Sequence, residues 1–185
     1  ASLLCCFEIG KQQTDDLVFF VEDDYLHFEP MLEEMVASYE RIASQLKKDI
    51  FMCPADYPYL YTKSDATQNF LGQNYHWRKV DETLCTFLTS KLIIEKYWEK
   101  YLSMCKKEHA PFEKPLHEIY ERELCISPIP SLAVHFTNIN SPENIERKLL
   151  SFVHHNDFEK SGFKLIDLKK IINEKKVMYD HSKDK

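Results

Sequence analysis

Asp16-Leu17-Val18-Phe19-Phe20-Val21-Glu22-Asp23-Asp24-Tyr25 is an apolar run that empties into three consecutive carboxylates. Leu17 to Val21 are apolar without interruption, the pattern of a strand buried on both faces of a parallel sheet; a half-exposed strand would alternate. In open α/β sheets ligands bind outside the carboxyl ends of the strands, which is where Glu22, Asp23 and Asp24 stand. Adjacent acids repel, and a fold that keeps them ionised offers them a cation, N–H donors or open water. One expectation is a hard divalent cation on oxygen ligands, Mg²⁺ or Mn²⁺. The plainer one is that the acids end the strand in solvent and Glu29-Pro30 opens the next helix, with Pro at its first position.

Downstream, Pro30 to Lys47 sets Met31, Leu32, Met35, Val36, Tyr39, Ile42, Ala43 and Leu46 at helical spacing against Glu33, Glu34, Glu40 and Lys47. A second strand follows over Asp49 to Pro54, so the span reads as strand, helix, strand with a right-handed crossover. Upstream, Ser2 to Lys11 reads as a helix. Ala55 to Lys79 is polar and aromatic, with Asp56, Tyr57, Tyr61, Tyr75, Trp77 and Arg78. It suits a mobile lid that stacks on a sugar or base ring, or else a surface loop pinned by a few buried tyrosines.

Thr83 to Thr89 reads as a strand, with Ser90 as N-cap of a helix over Lys91 to Met104. Pro111 to Glu123 reads as a further helix, restarted at Pro115. Two prolines bar the first half of Cys125 to Phe136 from a central strand. Pro142 to His154 and Lys164 to Lys175 read as amphipathic helices and Tyr179 to Lys185 as a charged tail. The expected division is a main domain over 1–141, a helical extension of it over 142–178, and a disordered tail over 179–185.

A chain of 185 residues with 44% hydrophobic and 29% charged residues can build a real core. The net charge of -6 argues against a nucleic-acid partner, since few cations are free to neutralise a row of phosphates. No apolar run reaches the length of a membrane span. The six cysteines have no C-x-x-C spacing, which points to a reducing, cytoplasmic setting and away from zinc. With three glycines and neither a P-loop nor a G-x-G-x-x-G motif, any nucleotide must be held in another way.

Val21-Glu22-Asp23-Asp24-Tyr25, the aromatic segment, Thr83-Leu84-Cys85-Thr86-Phe87-Leu88 before a helix, and Ile126 to His135 together resemble the catalytic half of a GT-A type, family-2-like nucleotide-sugar glycosyltransferase. The resemblance runs from Asp15 to His135. It implies an α/β fold, a partial GT-A three-layer sandwich with a mixed, mostly parallel sheet flanked by helices. The usual D-x-D motif holds Mn²⁺ or Mg²⁺ against the diphosphate of the donor, which points to Asp24 as the safest ligand, with Asp23, Glu22 and His135 completing the set. Glu22 stands where the family has Asp.

The resemblance further implies a general base, Glu113 by placement and Glu118 as second choice, with Tyr25, Trp77 and Arg78 on the substrate. Partners would be a nucleotide-sugar donor and a sugar or other hydroxyl acceptor. The nucleotide-binding first half of such a domain has no counterpart before Asp15, which leaves a sheet edge open to self-association. The alternative is a degenerate binding or interaction module that keeps the sheet without turnover. A haloacid-dehalogenase-like phosphatase would need a nucleophilic Asp where Glu22 stands.

Overall fold

In a computed structural model, which describes residues 2–57, 61, 66–106 and 111–135, helix α1 (Ser2–Gln13) leads into β1 (Leu17–Phe20) and then β2 (Tyr25–His27). Helix α2 (Met31–Leu46), β3 (Phe51–Met52), β4 (Asn69–Leu71), β5 (His76–Lys79) and β6 (Phe87–Ser90) follow. The remainder is α3 (Lys91–Lys96), α4 (Trp98–Met104), α5 (Lys114–Tyr120), β7 (Cys125–Ile129) and β8 (Ala133–His135). The expected helical extension and tail, 142–178 and 179–185, lie outside the described residues.

Six strands form one sheet in the order β1-β6-β3-β7-β5-β4, and β2 pairs with β8 in a separate two-stranded ribbon. Alternation along the strands serves two helix layers. Val18, Phe20, Phe51, Phe87 and Cys125 pack with residues of α1, α3, α4 and α5. Their neighbours Leu17, Phe19, Met52, Leu88 and Ile126 pack with Met31, Met35, Tyr39 and Ile42 of α2. The architecture is therefore a three-layer, mixed α/β sandwich.

The sheet is mostly antiparallel, which corrects the expectation of a mostly parallel one. Only β3 and β7 pair in parallel. β1 and β3 do run in the same direction, but β6 lies between them and is antiparallel to both. Among the described residues β1 is an edge strand, only partly buried over Leu17–Phe19 where its composition suggests burial on both faces. An unbroken apolar run reports that both faces are covered and says nothing of lateral neighbours.

Two further expectations change. β7 contains Pro128 and is nonetheless central, paired with β3 on one side and β5 on the other. The Val80 N–H donates to Cys125 O at 2.9 Å, so alternation makes Trp77 and Pro128 a pair without mutual hydrogen bonds. The missing donor of Pro128 then faces the β3 side, where the ladder has already ended at Met52 and Cys53. The segment 69–79, expected within a lid, is instead a hairpin of the sheet. The helix predicted over Lys91–Met104 is two helices meeting at Tyr97, whose hydroxyl donates to Glu123 at 2.6 Å.

Local rules hold elsewhere. Ser90 Oγ accepts from the Ile93 N–H at 3.2 Å and caps α3. α2 closes on Lys47 in the left-handed region at φ 53°, with a backbone bond to Ala43 O.

The hairpin is fastened to α2 by a buried carboxylate. Glu34 accepts from Ser38 Oγ at 2.6 Å, from Asn74 N at 2.9 Å and Nδ2 at 3.0 Å, and from Tyr75 N at 3.3 Å. Gly72 lies so close to Trp77 Nε1 and Ser38 Oγ that a methyl group there would overlap both. Leaving buried donors unpaired costs about 1–3 kcal/mol each, so Glu34→Ala is expected to lose at least about 2 kcal/mol. Gly72→Ala should lose about 1–3 kcal/mol by overpacking. Urea unfolding midpoints check both, and a midpoint that either substitution leaves in place would show that the hairpin is not fastened there.

Candidate functional site

β1 delivers the acids to the rim of the sheet, and its neighbour β6 receives them. The Glu22 N–H donates to Thr86 Oγ1 at 3.0 Å, and that hydroxyl donates back to Glu22 Oε2 at 3.3 Å. Asp23 is exposed in the turn that follows. The chain then enters β2, where Tyr25 lies opposite His135 of β8. This pairing joins residues more than a hundred positions apart: His135 Nε2 stands 3.0 Å from Asp24 Oδ2. The other oxygen, Asp24 Oδ1, is buried with no hydrogen-bond partner among the described residues.

Aromatic rings hold this pair in place. Tyr25 stacks on His135 with centroids 4.6 Å apart and planes 21° apart, an arrangement that fixes the imidazole orientation. The Tyr25 hydroxyl meets that of Tyr57 at 2.6 Å, and burial pushes both phenols up, well out of the physiological range.

Glu113 approaches from the helical layer. It is 6% exposed and directly precedes α5, where its carbonyl accepts from Leu116 N at 2.8 Å and so sets the first turn. Burial raises the Glu22 carboxyl above its ordinary value, with Asp24 and Glu113 adding like charge and the Thr86 hydrogen bond opposing the rise. The thiol of Cys85 is likewise raised, first by burial and then by Glu22 and Glu113. Glu22, Cys85 and Glu113 are thus electrostatic neighbours.

The structure therefore brings Asp24, Tyr25 and His135 together, with Glu22 two residues before Asp24 and Glu113 adding like charge to Glu22. Others among the expected residues are engaged elsewhere. Trp77 is 0% exposed and belongs to the core against α2, so its ring presents no face to a ligand. Arg78 pairs with buried Asp56. Glu118 forms an exposed ion pair with Lys100. Thr86, Tyr57 and Cys85 had no individual signal in the sequence, because their relevance depends on which strands adjoin the acidic one.

Among the described residues, no three His, Cys, Asp or Glu side chains are grouped to hold a metal by themselves. Comparison with protein-family models, characterised proteins and solved structures finds no match to the chain.

A carboxyl that is raised in the folded protein binds more protons there than in the unfolded chain, over the interval from its ordinary value of 4.5 to its raised one. Stability then falls as pH rises through that interval. Glu22→Gln should remove the fall, making the variant more stable relative to wild type at pH 7 than at pH 4. Denaturant midpoints against pH check this, and parallel curves would show that Glu22 carries no such strain.

Proposed function

We propose that the protein is a metal-dependent transferase of the GT-A glycosyltransferase kind, moving a sugar from a nucleotide-diphosphate donor to an acceptor hydroxyl. The observation that carries this reading is the Asp24 carboxylate, held through one oxygen by His135 while the other is buried with no partner among the described residues. A buried acceptor left open is costly unless something fills it. Mg²⁺ commonly binds through one or two carboxylates plus substrate phosphates, and not in an all-protein cage. A sparse protein ligand set, the open Asp24 Oδ1 with Glu22 nearby and with His135 Nε2 holding the other Asp24 oxygen, therefore fits a cation that arrives with a diphosphate. Mn²⁺ accepts the same carboxylate and imidazole donors.

Bound there, the cation supplies positive charge for the leaving diphosphate. The protein supplies the remainder. His135 orients Asp24, and Tyr25 holds His135 by stacking. Glu113, buried beside Glu22, is the carboxylate assigned to take the proton of the acceptor hydroxyl as the new glycosidic bond forms. Support from the fold is coarser. A three-layer sandwich that presents an acidic strand end beside an antiparallel neighbour accommodates this chemistry, although architecture by itself does not specify a reaction.

One observation favours the alternative, a binding module without turnover: the core position of Trp77 and the Asp56 partner of Arg78 withhold two side chains expected on the donor.

Calorimetry with Mn²⁺ and a panel of sugar nucleotides separates the two. The enzyme reading expects nucleotide binding that requires metal and weakens at least about tenfold in Asp24→Ala, the scale on which metal-site substitutions act. Metal-dependent binding that survives Asp24→Ala would sink the site. Glu113→Gln should keep that binding and lower turnover by about 10²-fold or more; binding in wild type with no transfer to any acceptor leaves the module reading.

A further inference from the structure

The β2/β8 ribbon that carries Asp24 and His135 is not a continuation of the six-stranded sheet, so something else must set its position. The segment Pro54–Tyr57, just beyond β3, touches both of its strands. Pro54 O accepts from Leu132 N at 2.9 Å, and the Asp56 N–H donates to Ser131 Oγ at 2.8 Å. Ser131 Oγ in turn donates to Ala133 O of β8 at 2.7 Å. Tyr57 reaches β2 through the Tyr25 hydroxyl at 2.6 Å and packs with Ala133.

The segment is itself anchored at both ends. Cys53 N donates to Ile126 O at 2.8 Å, which ties its start to β7. At its far end the Asp56 side chain, fully buried, accepts from Arg78 Nη2 of β5 through one oxygen and from the Tyr61 hydroxyl through the other. The Tyr61 ring stands 4.5 Å from the guanidinium carbon, a cation–π contact that closes the pair from the solvent side. A buried carboxylate resists displacement from the strand that carries its guanidinium partner, because separating the two leaves a desolvated charge. β5 is fully paired with β7, so the position of Arg78 is that of the sheet.

We propose that Arg78, Asp56 and Tyr61 are positioning residues for the Asp24–His135 pair: they lock the Pro54–Tyr57 segment to the sheet, and through Tyr57 and Tyr25 that lock sets the imidazole of His135. The link to catalysis rests on the glycosyltransferase reading; the link to His135 does not. Arg78 on this account acts on the site from behind and not on the phosphates of a donor.

The test reads the ring-current shift that Tyr25 imposes on the His135 imidazole protons, measured by NMR on the full chain without metal. Arg78→Met should move those resonances towards their unstacked positions, Tyr61→Phe should move them less, and Arg78→Lys should restore them in part. Because Arg78→Met leaves a buried charge alone and could prevent folding, Asp56→Asn/Arg78→Met removes both charges and is expected to fold with the His135 resonances still displaced. Gly72→Ala, destabilised at the opposite face of the sheet, should leave them in place. Unmoved resonances in the folded double variant, or an equal movement in Gly72→Ala, would overturn the proposal. Loss of metal-dependent nucleotide binding from wild type alone would overturn the glycosyltransferase reading and leave this result standing.

Discussion

A sheet covered by helices on both faces must satisfy two apolar layers with every strand, and most of this structure follows from that demand. Successive residues of β1, β6, β3 and β7 go alternately to the α1/α3/α4/α5 side and to α2. Burying this much apolar surface, at about 25 cal/mol per Å², requires strands with almost no polar positions. Two of the exceptions are bonded, Thr89 Oγ1 donating to Ile50 O at 3.1 Å and Ser90 Oγ capping α3, whereas the buried Ser127 Oγ of β7 has no partner among the described residues. Polar function is consequently pushed to the rim, where β1 runs out of covering helix and its acids begin.

At that rim the electrostatics are uneven. Glu22 is half-buried among like charges, Asp24 has one oxygen satisfied and one not, and Glu113 is buried at the head of α5. A fold selected for stability alone would not keep carboxylates so arranged, because each desolvated charge without a partner costs free energy. A carboxyl raised by burial and by neighbouring acids, as that of Glu22 is, marks functional sites more often than structural ones. In contrast, Glu34 has four donors and reads as structural, a fastening of the hairpin to α2.

Much of this was legible in the chain. The amphipathic face of α2, the Ser90 cap and the acidic end of β1 depend on spacing within a few residues, and the structure has them where that spacing puts them. Glu113 and His135 were singled out by resemblance; His135 Nε2 stands 3.0 Å from Asp24 Oδ2, and Glu113 adds like charge to the Glu22 carboxyl. Trp77 illustrates the opposite case. A Trp-Arg pair in a polar, aromatic stretch looks like a ligand platform, yet alternation along β5 turns the Trp into the α2 core while Arg78 pairs with Asp56. Pro128 misleads similarly, since proline is barred from a central strand only where its missing donor has a neighbour to address.

Over α1, α2, the acidic end of β1 and the Ser90 cap, local order was determined by the sequence itself, whose spacing shows the helical segments and where the carboxylates lie along the chain. Only the tertiary structure decided that β6 enters between β1 and β3, that β2 and β8 leave the sheet to form a ribbon, and that Asp24 meets His135. The physical reason is range. Periodicity and capping arise from contacts within one or two turns of chain, whereas backbone hydrogen bonding between strands is chemically the same for every pair. Its choice of partner is made by the packing of the whole sheet, which no single segment encodes.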